Sequence, residues 1–212
     1  MNTTISQHRI LTDISPDGME ELRRIEQIGR TCYKSVNMDG NEERTKAFVR
    51  LLIQNGHESV LEHGAISVDI ITDRGVTHEL VRHRLASYTQ ESTRYCNYSK
   101  GKFGGECTFV LPHGMDIKSP SYALWRSACS NAEMFYFDLL KAGEPPEIAR
   151  AVLPNSLKAE IVVTANYREW RHIFKLRTSK AAHPEIRFLM TGILNDLKRA
   201  IPVIFDDIEE GE

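Results

Sequence analysis

Arg82-His83-Arg84-Leu85-Ala86-Ser87-Tyr88-Thr89-Gln90-Glu91-Ser92-Thr93-Arg94-Tyr95 crowds guanidinium, imidazole and hydroxyl groups into one short polar run. Such a run is a poor way to build a core and a good way to hold phosphates. An isolated Arg-His-Arg is more often a solvated basic face at the end of a helix, but the flanks here point elsewhere. Upstream, Val76, Leu80 and Val81 fall one turn apart, so a short helix would bury that side and aim Arg82-His83-Arg84 inward. Downstream, Ser87, Thr89, Gln90 and Ser92 supply donors and acceptors to an extended or turning segment, where backbone N–H groups add to the set. Side chains and backbone together would clamp a phosphate-bearing ligand, a nucleotide.

Outward from this run the chain alternates helical and extended patterns. Asp17 is placed to cap a helix over Met19 to Tyr33, and Asn41 to cap one over Glu42 to Gln54 that Asn55-Gly56 closes. Ala65-Ile66-Ser67-Val68-Asp69-Ile70 alternates apolar and polar residues like a half-buried strand, and Lys158 to Thr164 is a second strand rich in branched residues. Ser119-Pro120 opens a helix from Ser121 to Lys141, Tyr167 to Leu176 forms a shorter one, and Pro184 opens another through Ala200. The class is α+β, with helices packed around a central sheet in a single domain over residues 1–212. Trp125, Phe135, Tyr136 and Phe137 follow a helical pattern and are assigned to packing or a subunit interface. Gly101 to Gly105 is a loop, too short to separate domains.

Composition narrows the function. Of 212 residues, 41% are hydrophobic, enough for one core or one subunit of an oligomer. Lys and Arg number 27 against 29 Asp and Glu, giving a net charge of -2, so no global field favours nucleic acid. The local basic clusters are left to serve something small. Cys32, Cys96, Cys107 and Cys129 lack CxxC spacing, no leader is read, and a reducing cytoplasm is the simplest home. No apolar run approaches the roughly 20 residues that cross a bilayer, so no membrane partner is expected. GxGxxG and GxxxxGK[ST] are both absent, so a dinucleotide would need some other cradle than a Rossmann or P-loop helix end.

The opening run resembles the RHR-x7-S signature of the flavin-dependent thymidylate synthases, the ThyX family. A second matching block is Ala149-Arg150-Ala151-Val152-Leu153-Pro154, followed by Thr164-Ala165-Asn166-Tyr167-Arg168 and Phe174-Lys175-Leu176-Arg177. Weaker matches lie in Gly56-His57-Glu58-Ser59-Val60-Leu61-Glu62-His63 and Arg30-Thr31-Cys32-Tyr33, so the likeness spans most of the chain. It implies a ThyX-like fold assembled as a homotetramer, with FAD held between subunits. The implied reaction converts dUMP to dTMP, with 5,10-methylenetetrahydrofolate as one-carbon donor and NADPH as reductant. No enzyme nucleophile attacks the base, and neither Cys32 nor Cys96 is assigned a catalytic role.

Carried across by residue, the resemblance puts dUMP contacts on Glu79, Leu80, Val81, Arg82, Gln90, Glu91, Ser92, Thr93, Arg94, Arg150 and Arg177. It puts FAD contacts on Ala65, Arg82, His83, Arg84, Gln90, Asn166, Tyr167, Arg168 and His172, and makes His63 folate-proximal. No metal is implied. A planar guanidinium satisfies two phosphate oxygens at once, which gives Arg94 and Arg150 their physical rationale. The less favoured alternatives are an exposed helix-end charge for Arg150 and a helix N-cap for Asn166, the latter compatible with a flavin contact. Glu91 beside a phosphate would be repulsive unless its carboxylate points away. Arg177 is the implied catalytic residue, a permanent cation set against the uracil to favour ionisation at N3. The chain departs from the family where His172 replaces a frequent asparagine, where Thr89 and Gln90 stand for frequent asparagine and glutamate, and where Ala181 occupies a histidine position, with His183 nearby. Two other functions compete: a nucleotide- or RNA-binding module using Arg82 to Arg84 and Arg168 to Arg171, and a flavin reductase without the methylation step.

Overall fold

The computed structural model of the chain describes residues 1–34, 40–100, 104–209 and 211. The expected loop at Gly101 to Gly105 therefore lies partly outside the described residues. Helix and sheet are mixed, as the α+β reading expected. In chain order the elements are β1 (Asn2–Thr4), β2 (Gln7–Ile10), α1 (Met19–Tyr33), α2 (Glu42–Gln54), a 3-10 turn (Glu58–His63), β3 (Ala65–Asp73), α3 (Arg74–Leu80), β4 (Ala86–Gln90), β5 (Thr108–Val110), α4 (Pro120–Lys141), α5 (Pro146–Ala149), a 3-10 turn (Arg150–Val152), β6 (Lys158–Asn166), α6 (Tyr167–Arg177) and α7 (Pro184–Ala200). Strands β2, β3, β6 and β4 neighbour one another in that order in a four-stranded sheet. On β3, Ile66, Val68, Ile70 and Thr72 are buried while the residues between them are not, which is the alternation read from sequence over Ala65 to Ile70 carried on to Asp73.

The chain forms two compact units. One comprises Met1–Gln7, Asp69–Arg82 and Tyr88–Val162, and the other His8–Val68, His83–Ser87 and Val163–Glu212. In the first, β1 and β5 pair in parallel, Asn2 opposite Thr108, and a core forms from Tyr98, Cys107, Phe109, Cys129, Tyr136, Ala149 and Leu157. Ser119 caps α4 by accepting the Tyr122 N–H. Tyr136 is fully buried and Trp125 and Phe137 pack against its cluster, whereas Phe135, on the same helix, is 54% exposed. Asp73 ends β3 and caps α3, accepting the Val76 N–H at 2.7 Å. Helix α3 buries Val76 and Leu80, but Val81 lies past its end and is 43% exposed, against the expectation that all three would face inward.

In the second unit, α6 lies at the centre of the core. Trp170 and Phe174 are fully buried with their rings stacked 5.4 Å apart, and Phe205 meets Phe174 edge-on at 5.7 Å. The Trp170 indole N–H donates to the Ile66 carbonyl at 3.0 Å, so the largest core side chain leaves no polar atom unpaired. Buried Glu26 on α1 accepts the Thr45 hydroxyl of α2 at 2.5 Å and ties the two helices together. Helix α1 is not capped by Asp17. Its N-cap is Gly18, at φ +68, where a Cβ would lie 2.5 Å from the Ala200 carbonyl oxygen, and Asp17 accepts the Met19 N–H from outside the cap. Among the described residues, no helix is long and apolar enough to cross a membrane.

Gly64 sits against the Tyr167 ring: an added Cβ would lie 2.1 Å from Tyr167 Cε2. Gly64→Ala must displace a buried aromatic ring, at a cost of about 2 kcal/mol. For a chain of this length that corresponds to a melting temperature lower by about 4–8 °C, measured by differential scanning calorimetry.

Candidate active site

In the first unit, β4 delivers Gln90 and then the chain turns, with the Tyr95 and Cys96 N–H groups bonding back to the Ser92 carbonyl. Gln90 donates to the Thr77 hydroxyl at 3.2 Å. Arg150 Nη1 donates to Thr93 Oγ1 at 3.0 Å, joining two residues that were expected to share one anion. Thr93 is buried, while Arg94 and Arg150 are exposed, and the Arg94 guanidinium lies over the Tyr95 ring 5.5 Å from its centroid. The arrangement presents two guanidinium forks at one turn. Glu91 does not oppose an anion there: its carboxylate accepts from Lys158 Nζ at 2.9 Å and from Tyr98 OH at 3.2 Å, and its N–H bonds the Glu160 carbonyl. Burial works against the Lys158 ammonium, but the bonds to Glu91 and Glu160 outweigh it and hold its pKa above the ordinary value. Burial, reinforced by Glu91, keeps the Tyr98 phenol protonated. Of the other residues expected at dUMP, Leu80 is buried, Glu79 partly so, and Arg82 is exposed.

The second unit gathers most of the residues expected at FAD. Asn166 ends β6 and caps α6, accepting the Glu169 N–H at 2.8 Å, so the capping role weighed from sequence holds. Because α6 buries Trp170, Ile173 and Phe174, the helical period turns Arg168, His172 and Lys175 outward along one face. These three and Asn166 line a cavity of about 550 Å³ that Glu58 and Glu62 also border. Arg168 donates to Glu62 at 2.6 Å, with Glu58 3.5 Å from its Nε. Tyr167 turns its ring to the core beside Gly64 and Phe205, while Ala65 and His63 are exposed.

Of the Arg82-His83-Arg84 group only His83 turns in, at 6% exposed; both arginines are exposed, contrary to the inward aim expected for all three. Arg177 Nε donates to His83 Nε2 at 3.0 Å, and the His172 ring meets the His83 ring edge-on at 5.9 Å. Burial, then the Arg177 and His172 charges, lower the His83 pKa from 6.5 to about 4. Glu169 Oε1, 3.8 Å from His83 Nδ1, pulls the other way, but burial beside a fixed guanidinium prevails.

Several contributors were given no role at this site from sequence. Arg171 is buried and clamps Asp207 with two bonds, at 2.5 and 2.7 Å, while also donating to the Ile204 carbonyl. Its Nε is buried without a hydrogen-bond partner among the described residues, Glu58 Oε1 lying 3.5 Å away. Glu169 sits three residues after its N-cap, the capping-box spacing that could have singled it out. Glu58 and Glu62 lie in a quoted stretch from which only His63 was assigned a role. His183, at the departure from the family pattern, caps α7 by accepting the Glu185 N–H.

The fold is shared with a crystal structure of a UMP/dUMP methylase, PolB from Streptomyces cacaoi, bound with 5-Br dUMP, at a TM-score of 0.75 and 22% identity over 97% of this chain and 96% of that one. A family model described as "Thymidylate synthase complementing protein" matches residues 17–203. Proteins named flavin-dependent thymidylate synthase from Mycobacterium tuberculosis and Mycolicibacterium gilvum are each 37% identical over 202 residues, covering 87% of this chain and 78% of theirs. The chain belongs to the thymidylate synthase complementing protein family.

The buried imidazole carries a pH signature. His83 is neutral when folded down to about pH 4, whereas the unfolded residue takes up its proton near 6.5, so its contribution to stability is present above 6.5 and lost as pH falls toward 4. Urea denaturation across that window should lose on the order of 2–3 kcal/mol through this group, and His83→Gln should flatten that part of the profile.

Proposed function

We propose that this chain is a flavin-dependent thymidylate synthase that converts dUMP to dTMP with 5,10-methylenetetrahydrofolate as one-carbon donor, FAD as cofactor and NADPH as reductant. Family membership over residues 17–203 is the observation that carries the proposal. The side chains fit such a cofactor once Glu58 and Glu62 give up their cations: the α6 cavity offers Arg168, Lys175, the Asn166 amide and the buried Arg171 Nε–H, 3.5 Å from Glu58, a donor set suited to a pyrophosphate. When bound, the flavin supplies the redox chemistry that carries the methylene group from the folate to C5 of the pyrimidine. Arg168 would leave Glu62 to meet an anionic group, and Arg94 and Arg150 would hold the dUMP phosphate, with Glu91 kept aside by Lys158 and Tyr98. Gln90, Ser92 and Thr93 line the same turn. Arg177 would stabilise the charge that develops on the uracil without giving up a proton.

Burial pushes the Cys107 and Cys129 thiols up to about 12 and about 11, so neither is primed to attack the base. The proposal extends to a single catalytic domain over the whole chain, working in the cytoplasm as a homotetramer with active sites at subunit interfaces. Exposed apolar residues on α4, Leu124 at 74% among them, are consistent with burial in such an assembly. Neither nucleic acid nor membrane is a partner.

Purified protein is assayed for dTMP formation from dUMP, methylenetetrahydrofolate and NADPH, with and without added FAD, beside an absorbance spectrum. Flavin-dependent product is expected. A flavin spectrum without product indicates a reductase, and a folded protein with neither indicates a binding module. Arg177→Ala should fold and bind flavin but lose about 100- to 1000-fold in kcat. Arg94→Ala should raise KM for dUMP about 10- to 100-fold with a smaller change in kcat, as expected for a lost phosphate contact.

A further inference from the structure

The bond between Arg177 and His83 shows which tautomer the structure contains. A guanidinium carries no acceptor, so in the 3.0 Å contact Nε2 of His83 must present its lone pair to the Arg177 Nε–H. The one proton of the neutral ring then sits on Nδ1, and Nδ1 is the nitrogen that faces Glu169 Oε1, 3.8 Å away. At that distance the carboxylate acts through its charge rather than as a hydrogen-bond acceptor. Glu169 and His83 are 7% and 6% exposed, so little water screens the interaction. The Nδ1–H tautomer points its N–H dipole at the carboxylate. The alternative would turn a lone pair toward Glu169 and an N–H against the N–H of Arg177, two unfavourable contacts at once.

We propose that Glu169 is a positioning residue, which holds His83 as the Nδ1–H tautomer and thereby orients the Arg177 guanidinium. This rests on the reading of Arg177 as the group that faces the uracil. Glu169 has a second, structural position as the third residue of α6, where its backbone N–H is bonded by Asn166. A glutamine there keeps the backbone bond and the side-chain shape while removing the charge, so Glu169→Gln separates the two roles. His83, Glu169 and His172 also bring one ligand-type atom each within 4.8 Å of one another. A divalent cation at that point would share His83 with the Arg177 guanidinium, and its repulsion favours a proton on Nδ1 over a metal.

The test uses the full chain, labelled with 15N in histidine and arginine and studied by NMR without substrate. The His83 nitrogens are assigned by the signals lost in His83→Gln, and the Arg177 Nε–H by those lost in Arg177→Lys. Wild-type protein is expected to show a protonated Nδ1 and a bare Nε2. Glu169→Gln should populate the Nε2–H form and shift the Arg177 Nε–H resonance, and Glu169→Asp, which retains the charge, should restore much of the wild-type pattern. In dTMP synthesis Glu169→Gln should lower kcat about 10-fold and leave KM for dUMP within about twofold, with partial rescue by Glu169→Asp. A wild-type Nε2–H tautomer, or His83 and Arg177 signals unmoved by Glu169→Gln, overturns the proposal. The NMR result stands independently of turnover, so absence of dTMP synthesis beside the expected shifts counts against the synthase reading alone.

Discussion

The candidate cofactor site depends on how one helix is seated. Trp170 and Phe174 put one side of α6 fully out of water, and the indole N–H is committed to the Ile66 carbonyl. Each buried aromatic of this size contributes about 2–3 kcal/mol, so rotating the helix about its axis would forfeit both contributions and leave the indole N–H without its acceptor. With that side fixed, the 3.6-residue period leaves no choice about where Arg168, His172 and Lys175 point. Asn166 sets where the period begins. The geometry of the outward face is a consequence of the packing of the inward one.

Charge is arranged around that scaffold in two ways. Exposed cations stand beside carboxylates: Arg168 beside Glu62 is the clear case. Exposed pairs contribute only about 0–1 kcal/mol, so such a partner can be exchanged for an incoming anion at small cost. The Arg171–Asp207 pair is of the other kind, because Arg171 is buried and takes both carboxylate oxygens. Removing Asp207 would leave the buried guanidinium only the Ile204 carbonyl and Glu58, 3.5 Å from its Nε, at a cost of about 1–3 kcal/mol. That clamp holds the C-terminal segment to α6, and the segment also supplies Phe205 to the aromatic core.

Much of this was legible in local sequence, and the exceptions have physical causes. Asn41 caps the helix it was expected to cap, Ser119 caps the helix it was read to open, and Asn166 takes the capping role weighed beside its flavin contact, because a cap needs only a side-chain oxygen and an N–H two or three residues on. Asp17 failed because the close approach of the Ala200 carbonyl to residue 18 demands a glycine there. Glu91 looked repulsive to a phosphate because its partner Lys158 is distant in sequence. Tyr167 stands within a polar motif, yet its ring belongs to the core.

The sequence by itself determined the kinds and approximate limits of the longer elements, through periodicity, capping and turn residues, and the family through the spacing of its polar motifs, but not the short strands β1, β2 and β5. Those signals act over one or two helical turns or one strand. Only the tertiary structure decided which charged groups are sequestered and what each one meets. Arg82, His83 and Arg84 are chemically similar in sequence, but His83 alone is buried, bonded to an arginine 94 positions away. No local pattern reaches that far: the pairing exists because the packing of α6 brings Arg177 to His83, whose burial favours a hydrogen-bond partner for its ring.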